Sequence, residues 1–234
     1  MRYIVKSDIE PTCLSEYKEA LRAMNYPEPF LYNDFNRTSE LRNILCCDQH
    51  HVCCYCQRAV RGFRIEHLYP ENGPDQDLSK ALQLDYYNLF ASCIDTTCQP
   101  KNLQCCDVAK GNQVIKDFIK QPSCSDLFRY NLQGEILPYG DLHSWKEYKE
   151  CTSLTGTELE AKNAIEILNL NCPTLVNKRK ECIDLLYKSL PSKSKEEWFE
   201  KIEEWISSDI YPDFIDLRIK HIYAYFRREE QNQD

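Results

Sequence analysis

The sequence predicts an α+β protein that is mainly helical, with a small cysteine-rich module between an N-terminal helical segment and a helical C-terminal region. Three observations predict this class. Apolar residues recur at helical spacing near both ends of the 234-residue chain. Nine of its 14 cysteines lie between Cys46 and Cys106. Apolar and polar residues alternate around Phe63 and Ile65, which is typical of a strand.

Three segments follow from these patterns. Residues 1–50 form an N-terminal helical segment, with one helix after Pro11 and a second over 39–49. Residues 51–125 form the cysteine-rich module. Residues 126–234 begin with a small hairpin around Gly134 and continue as four segments of helical periodicity, which we expect to dock a partner. Prolines separate these four segments, at Pro173, Pro191 and Pro212.

Within the module the order is cysteine knuckle, hairpin, loop and helix. Arg61-Gly62 is the expected turn of a hairpin that includes Phe63 and Ile65. The polar stretch ENGPDQD follows as a loop. From Asp107 onward, apolar residues at 114, 115, 118 and 119 predict a helix, although Gly111 weakens its first turns.

Composition and charge narrow the class of protein. With 42% hydrophobic and 28% charged residues, the chain is typical of a globular protein. It has no apolar stretch of membrane-spanning length, and the opening MRYIVKSDIEP does not resemble a secretory signal, so we expect a cytoplasmic protein without membrane contact. A net charge of −8 argues against a free-standing, non-specific nucleic-acid binder.

Clustered cysteines in a reducing compartment indicate metal ligands. Cys53 and Cys56 form a C-x-x-C pair, whose thiolates can reach one tetrahedral Zn²⁺ at about 2.3 Å each. The second pair is less specific: we choose Cys93 and Cys106, while Cys98 and Cys105 compete. A thiol redox motif is the weaker interpretation, since a thioredoxin-like βαβ context is absent.

A second set of residues surrounds a histidine. Glu66-His67 ends the predicted strand, Asn88 follows in YNLFASC, and Asp107 opens the predicted helix before Lys110-Gly111-Asn112. Each residue alone has an ordinary structural explanation, such as a helix N-cap for Asp107 or a turn cap for Asn88. Their order around the cysteine knuckle favours a catalytic site.

The strings C-x-Y-C, IEH, YNL-x-x-SC and CD-x-x-KGN, in this order, resemble the HNH endonuclease motif, known as the ββα-metal finger. MRYI, CCYCQ, FRIEHLYP and AIEILNLNCPTLVNKR further resemble the PtuB-like HNH nucleases of the Septu anti-phage system and of related retron-linked defence operons. The resemblance touches most of the chain, and the HNH part is its specific part.

This resemblance implies a role for each residue of the site. His67 would be the general base that activates water, and Asn88 would orient the loop that holds it. Glu66 and Asp107 would bind a catalytic Mg²⁺ or Mn²⁺, with Asn112 as a fallback ligand about one helical turn on from Asp107. Asp107 stands where the family carries His or Asn. A structural zinc would be held by Cys53, Cys56, Cys93 and Cys106.

The expected partners also follow from the resemblance. The substrate would be DNA, with RNA such as tRNA as the alternative. A PtuA-like ABC-type ATPase would hold or deliver the nuclease, and retron-linked systems add a reverse transcriptase with its DNA. Phosphate contacts are expected from Arg58, Arg61, Arg64 and Lys110, although the three arginines are as compatible with a solvated face. A zinc-stabilised interaction module without catalysis is the alternative function.

Overall fold

The computed structural model describes residues 1–59, 62–94 and 99–231. About half of these residues are helical, and the strands form two small antiparallel sheets, which confirms the α+β class. The helices are α1 (Thr12–Ala23), α2 (Thr38–Asp48), α3 (Gln76–Leu82), α4 (Asp107–Lys110), α5 (Trp145–Glu150), α6 (Gly156–Ile167), α7 (Pro173–Ser189), α8 (Lys195–Ser207) and α9 (Ile215–Gln231). The strands are β1 (Phe63–His67), β2 (Leu89–Cys93), β3 (Phe128–Tyr130) and β4 (Ile136–Pro138).

The two predicted N-terminal helices are present and pack on one face of the first sheet. Leu14 of α1 and Leu41 and Leu45 of α2 are fully buried. They share a core with Leu89 and Ala91 of β2. Burial of these apolar side chains anchors the sheet that carries the histidine.

The predicted partner of strand β1 is wrong. β1 pairs antiparallel with β2, in a register that places Phe63 opposite Cys93 and His67 opposite Leu89. The C-x-x-C knuckle instead closes on itself through a bridge between Val52 and Ala59. Arg61, half of the predicted turn, lies outside the described residues. Because pairing in a sheet is a long-range contact, local alternation does not identify the partner.

The predicted helix from Asp107 is also wrong beyond its first turn. α4 ends at Lys110, and Gly111 has a φ of +52°, outside the helical region. A short 3₁₀ helix follows at Phe118–Lys120. Three of the four apolar residues that suggested a longer helix, Ile115, Phe118 and Ile119, are buried in the core without a continuous helix, and Val114 is exposed.

The predicted C-terminal hairpin and four helices are confirmed as β3–β4 and α6 to α9. Gly134 in the hairpin turn has a φ of +85°, and a Cβ there would overlap the backbone of α7. α5 and α8 both begin with a complete capping box, from Ser144 and Ser194. Across the described ranges, no helix is both long and apolar enough to cross a bilayer.

Candidate functional site

Four buried cysteines converge at the junction of the knuckle, β2 and α4. The sulfur atoms of Cys53, Cys56, Cys93 and Cys106 all lie within 4.8 Å of one another. Four thiolates bound tetrahedrally at about 2.3 Å would stand about 3.8 Å apart, and the sulfurs of Cys56 and Cys93 are 3.9 Å apart. The cluster could therefore bind a metal ion such as zinc.

The local backbone conformation brings these four sulfur atoms together. In the knuckle the amide of Gln57 donates to the carbonyl of Cys53, and the amide of Cys53 donates to the carbonyl of Arg58. Gln57 takes a φ of +59°, which tightens the turn. Cys93 ends β2, and Cys106 directly precedes α4 with a φ of +61°. Strained non-glycine residues on either side of a cluster indicate that it imposes the local conformation.

Close packing shifts the pKa values of the thiols in the cluster. Burial of the Cys53 thiol opposes its ionisation and would raise its pKa. Hydrogen bonds from the neighbouring thiols outweigh burial and hold the pKa of Cys53 well below its usual range. The hydrogen bond from Cys106 makes the largest of these contributions. The pKa of Cys106 is raised, first by hydrogen bonding with Cys105 and then by the cluster. Close thiols without a cation can share one negative charge, whereas a divalent cation lets all four ionise.

Cys98 and Cys105 were the alternatives for the second pair of metal ligands. Cys105 is fully buried beside Cys106, with the two sulfurs 3.7 Å apart, but it is not part of the four-sulfur group. Cys98 lies outside the described residues. Of the cysteines that the structure describes, the four brought together are those chosen from the sequence.

A cavity of about 310 Å³ lies between the end of β1 and α4. It brings together Glu66, His67, Asp107 and Asn112, which the sequence placed in one site. Its lining comprises Arg64, Ile65, Glu66, His67, Pro70, Glu71, Asn72, Asp107, Val108, Lys110, Gly111 and Asn112. Because β1 ends at His67, Glu66 and His67 both line this cavity although neighbouring strand residues point to opposite faces.

Glu66 is buried in a network of polar groups. The hydroxyl of Tyr55 and the ammonium of Lys110 both donate to its Oε1, each at 2.7 Å. Burial raises the pKa of Glu66 to about 8; Lys110 opposes this rise, whereas the hydrogen-bonded carboxylate of Asp107 adds to it. Two carboxyl groups that share a proton can together hold a hard cation in its place.

Both ring nitrogens of His67 have partners. Nε2 lies 3.0 Å from the carbonyl oxygen of Gln83, and Nδ1 lies 3.0 Å from the carboxylate of Glu71. A carbonyl oxygen can only accept a hydrogen bond, so Nε2 carries a hydrogen. In the neutral ring, Nδ1 is therefore the basic nitrogen. The imidazole of His67 makes a T-shaped contact with the ring of Tyr32, with ring centroids 4.8 Å apart.

Asn88 is buried and braces the loops on both sides of His67. Its amide oxygen accepts from the backbone of Tyr69 at 2.7 Å, and its amide nitrogen donates to the carbonyls of Tyr69 and Leu82. Leu82 directly precedes Gln83, whose carbonyl holds the imidazole. Asn88 thus positions His67 without touching it.

The basic residues fall into two groups. Arg64 lies at the rim of the cavity with a side chain 46% exposed, and pairs with Asp107 at 3.0 Å. Arg58 and Lys110 are buried, and their contact with phosphate stays a prediction. The ammonium of Lys110 forms a salt bridge with the carboxylate of Glu66. It also donates a hydrogen bond to the carbonyl of His67, at 2.8 Å. Arg61 lies outside the described residues.

Asn112 also departs from its expected position. It lines the cavity, but it follows the end of α4 and is not one helical turn beyond Asp107.

The sequence analysis missed three groups of the site: the Tyr55 hydroxyl, the Gln83 carbonyl and the Glu71 carboxylate. Two carried a local signal, since Tyr55 stands inside the C-x-x-C pair and Glu71 comes four residues after His67.

No protein-family model matches this chain, and a comparison with curated proteins likewise finds no match.

Proposed function

We propose that this protein is a metal-dependent HNH-type endonuclease that hydrolyses phosphodiester bonds in nucleic acid. The observation that carries the proposal is the convergence of His67, Glu66 and Asp107 on one cavity beside a four-cysteine cluster. The antiparallel β1–β2 pair followed by the short α4 supports the ββα arrangement that the sequence motif suggests.

His67 is the general base in this proposal. The Gln83 carbonyl fixes the hydrogen on Nε2, which leaves the lone pair of Nδ1 to take a proton from water. Glu71 is partly exposed and can turn away from a neutral ring, which leaves room for that water. Once the ring is protonated, the Glu71 carboxylate stabilises the imidazolium, as an acidic partner does in other His-dependent enzymes.

The acidic residues fit one hard cation. Asp107 reaches the cavity with a side chain 19% exposed, and Glu66 shares a hydrogen bond with it. Mg²⁺ or Mn²⁺ bound there would relieve the charge that develops on the phosphate and the leaving oxygen. Arg64 at the rim is the residue placed to contact the scissile strand, because its charged end is exposed.

The cysteine cluster would hold a structural zinc. Four thiolates close a tetrahedral shell and leave no position for substrate, so the cluster serves architecture and not hydrolysis. It connects the knuckle, β2 and the residue before Asp107, and thereby sets the distance between β1 and α4.

The cellular role follows from the resemblance and from charge. Residues 51–125 contain eight Lys plus Arg and eight Asp plus Glu, so the module has little electrostatic affinity for nucleic acid. We therefore infer that a partner supplies affinity, namely an ABC-type ATPase of a bacterial anti-phage defence complex. All described cysteines are free thiols, which suits the cytoplasm.

The test is cleavage of DNA and RNA panels with Mg²⁺ or Mn²⁺, with and without the ATPase. His67→Gln should abolish cleavage while zinc content and Tm stay near those of the wild type, because glutamine can still donate to the Gln83 carbonyl. His51→Gln, outside the cavity, is the matched control and should cleave normally. Equal cleavage by His67→Gln and the wild type would refute the proposed base.

A second function, a zinc-stabilised interaction module without catalysis, is favoured by one observation. The two carboxylates proposed to hold the cation already have cationic partners inside the chain: Glu66 pairs with Lys110, and Asp107 pairs with Arg64. This alternative predicts a stable complex with the ATPase and no hydrolysis by wild type or variant under any metal.

A further inference from the structure

A second cavity, of about 580 Å³, is built by the β3–β4 turn, α7 and α9. It shares no lining residue with the candidate site. Four cationic side chains line it, those of Arg129, Lys220, Arg227 and Arg228, together with two histidines, His143 and His221. Within the described ranges no aspartate or glutamate lines it, in a chain whose net charge is −8. Such a one-sided lining concentrates positive potential in the cavity.

The charges at this cavity are not neutralised by direct ion pairs within the part of the chain that the structure describes. Arg129 donates to the carbonyls of Pro138 and Leu142. Lys220 donates to the carbonyls of Ser125 and Phe128. Carbonyl partners hold a cation in place but leave its charge uncompensated. The cavity therefore retains affinity for an anion.

Arg227 and Arg228 add two exposed guanidinium groups at the rim of the cavity, and neither forms an ion pair with another described residue. Guanidinium groups present paired N–H donors that match the oxygens of a phosphate. The anion that this set of side chains suits best is therefore a phosphate group.

His221 provides an independent observation. It is 6% exposed, and its Nε2 has no hydrogen-bond partner among the described residues. Burial, with a smaller contribution from Arg228, lowers the pKa of His221 to about 4, so its ring is neutral at physiological pH. Its Nδ1 lies 3.4 Å from the hydroxyl of Tyr187. If that hydroxyl donates to Nδ1, Nε2 carries a buried hydrogen for which no described residue is an acceptor.

We propose that this cavity binds a nucleotide unit, with its phosphate on the basic side chains and its base against the aromatic lining. The volume is in the range of small-molecule sites. Tyr130 and Tyr187 line the cavity, and aromatic side chains are the groups on which bases stack. The phosphate can belong to a free nucleotide or to a nucleic-acid strand, and both present the same chemistry.

The experiment measures binding of adenosine and guanosine 5′-monophosphates and of a short single-stranded oligonucleotide to the full chain by calorimetry. Arg227→Ala/Arg228→Ala should weaken binding by about tenfold or more, since charge-assisted hydrogen bonds are lost. The matched control is Lys146→Ala/Lys149→Ala, which removes two charges from exposed residues of α5 that do not line the cavity. The control should bind as the wild type does.

The two probes distinguish the source of the phosphate. Saturable binding of a monophosphate that competes with the oligonucleotide identifies a nucleotide site, and binding of the oligonucleotide alone identifies a strand-binding site. Absence of saturable binding of either probe, or equal weakening in the arginine and lysine double variants, would overturn the proposal. Because the readout is binding, its failure is separate from any failure of cleavage.

A second variant tests the buried imidazole without risk to the fold. His221→Phe keeps an aromatic ring and removes the unpartnered Nε2, so Tm should stay equal or rise while affinity for the bound probe falls several-fold. Affinity equal to that of the wild type would show that His221 does not contact the ligand.

Discussion

Loss of one cysteine from the four-sulfur cluster should cost far more than loss of an equally buried cysteine elsewhere. Cys93 and Cys13 are both 0% exposed. Cys93→Ala and Cys13→Ala therefore remove the same sulfur from a fully packed environment. Only the first removes a ligand, because Cys93 belongs to the cluster within 4.8 Å and Cys13 lies in the N-terminal core.

The magnitudes separate the two variants clearly. A structural zinc with thiolate ligands contributes on the order of 10 kcal/mol or more, which is comparable with the entire stability of a domain. The loss of one buried sulfur costs roughly 1–2 kcal/mol, or a fall in Tm of about 2–8 °C for a chain of this size. We expect Cys13→Ala to show that modest fall, and Cys93→Ala to lose the metal and most of the folded structure of residues 51–125.

The assay combines elemental analysis of metal per chain with thermal unfolding, each before and after treatment with a chelator. The wild type and Cys13→Ala should carry one zinc per chain and should lose stability when it is removed. Retention of one zinc by Cys93→Ala, with a Tm equal to that of Cys13→Ala, would refute the ligand assignment. So would a wild-type protein in which Cys53 and Cys56 are joined as a disulfide.

Three further predictions concern single residues. Asn88→Ala removes three hydrogen bonds from a buried site and should lower the free energy of unfolding by about 3 kcal/mol in denaturant titrations. Arg64→Gln frees the Asp107 carboxylate and should tighten Mn²⁺ binding, measured by electron paramagnetic resonance, by no more than several-fold, because the pair is partly exposed. Burial lowers the pKa of His221 from 6.5 to about 4, so its contribution to stability should be full above pH 6.5 and should fall by about 3 kcal/mol as the pH drops from 6.5 to 4; His221→Phe should abolish this dependence.

Local patterns sufficed for those parts of the fold that local interactions determine. The four C-terminal helices and the hairpin at Gly134 were predicted correctly, since periodicity, prolines and a glycine with positive φ act over a few residues. The C-x-x-C pair was recognisable because its spacing suits a zinc knuckle and the βαβ context of a redox motif is absent. The choice of Cys93 and Cys106 over Cys105 agrees with the structure, although spacing alone left it open.

The parts that could not be predicted depend on contacts between distant residues. The partner of β1 lies about 25 residues away in sequence, and nothing in the alternation around Ile65 specifies it. Lysine is rarely buried, yet the ammonium of Lys110 lies between the carboxylate of Glu66 and the carbonyl of His67. A buried charge needs an opposite charge beside it. Lys110 and Glu66 become neighbours only when the chain folds.

The interleaving of cysteines and site residues along the chain links the cysteine cluster to the candidate active site. Tyr55 stands between two cluster cysteines and donates to Glu66, and Asp107 directly follows the cluster residue Cys106. Any shift of the sulfurs therefore moves the Tyr55 hydroxyl and the Asp107 carboxylate together. Cleavage should accordingly fall in step with zinc content when the protein is titrated with a chelator of zinc in excess Mg²⁺. A protein that lost its zinc but still cleaved at the wild-type rate would show that the cavity holds its geometry by other means.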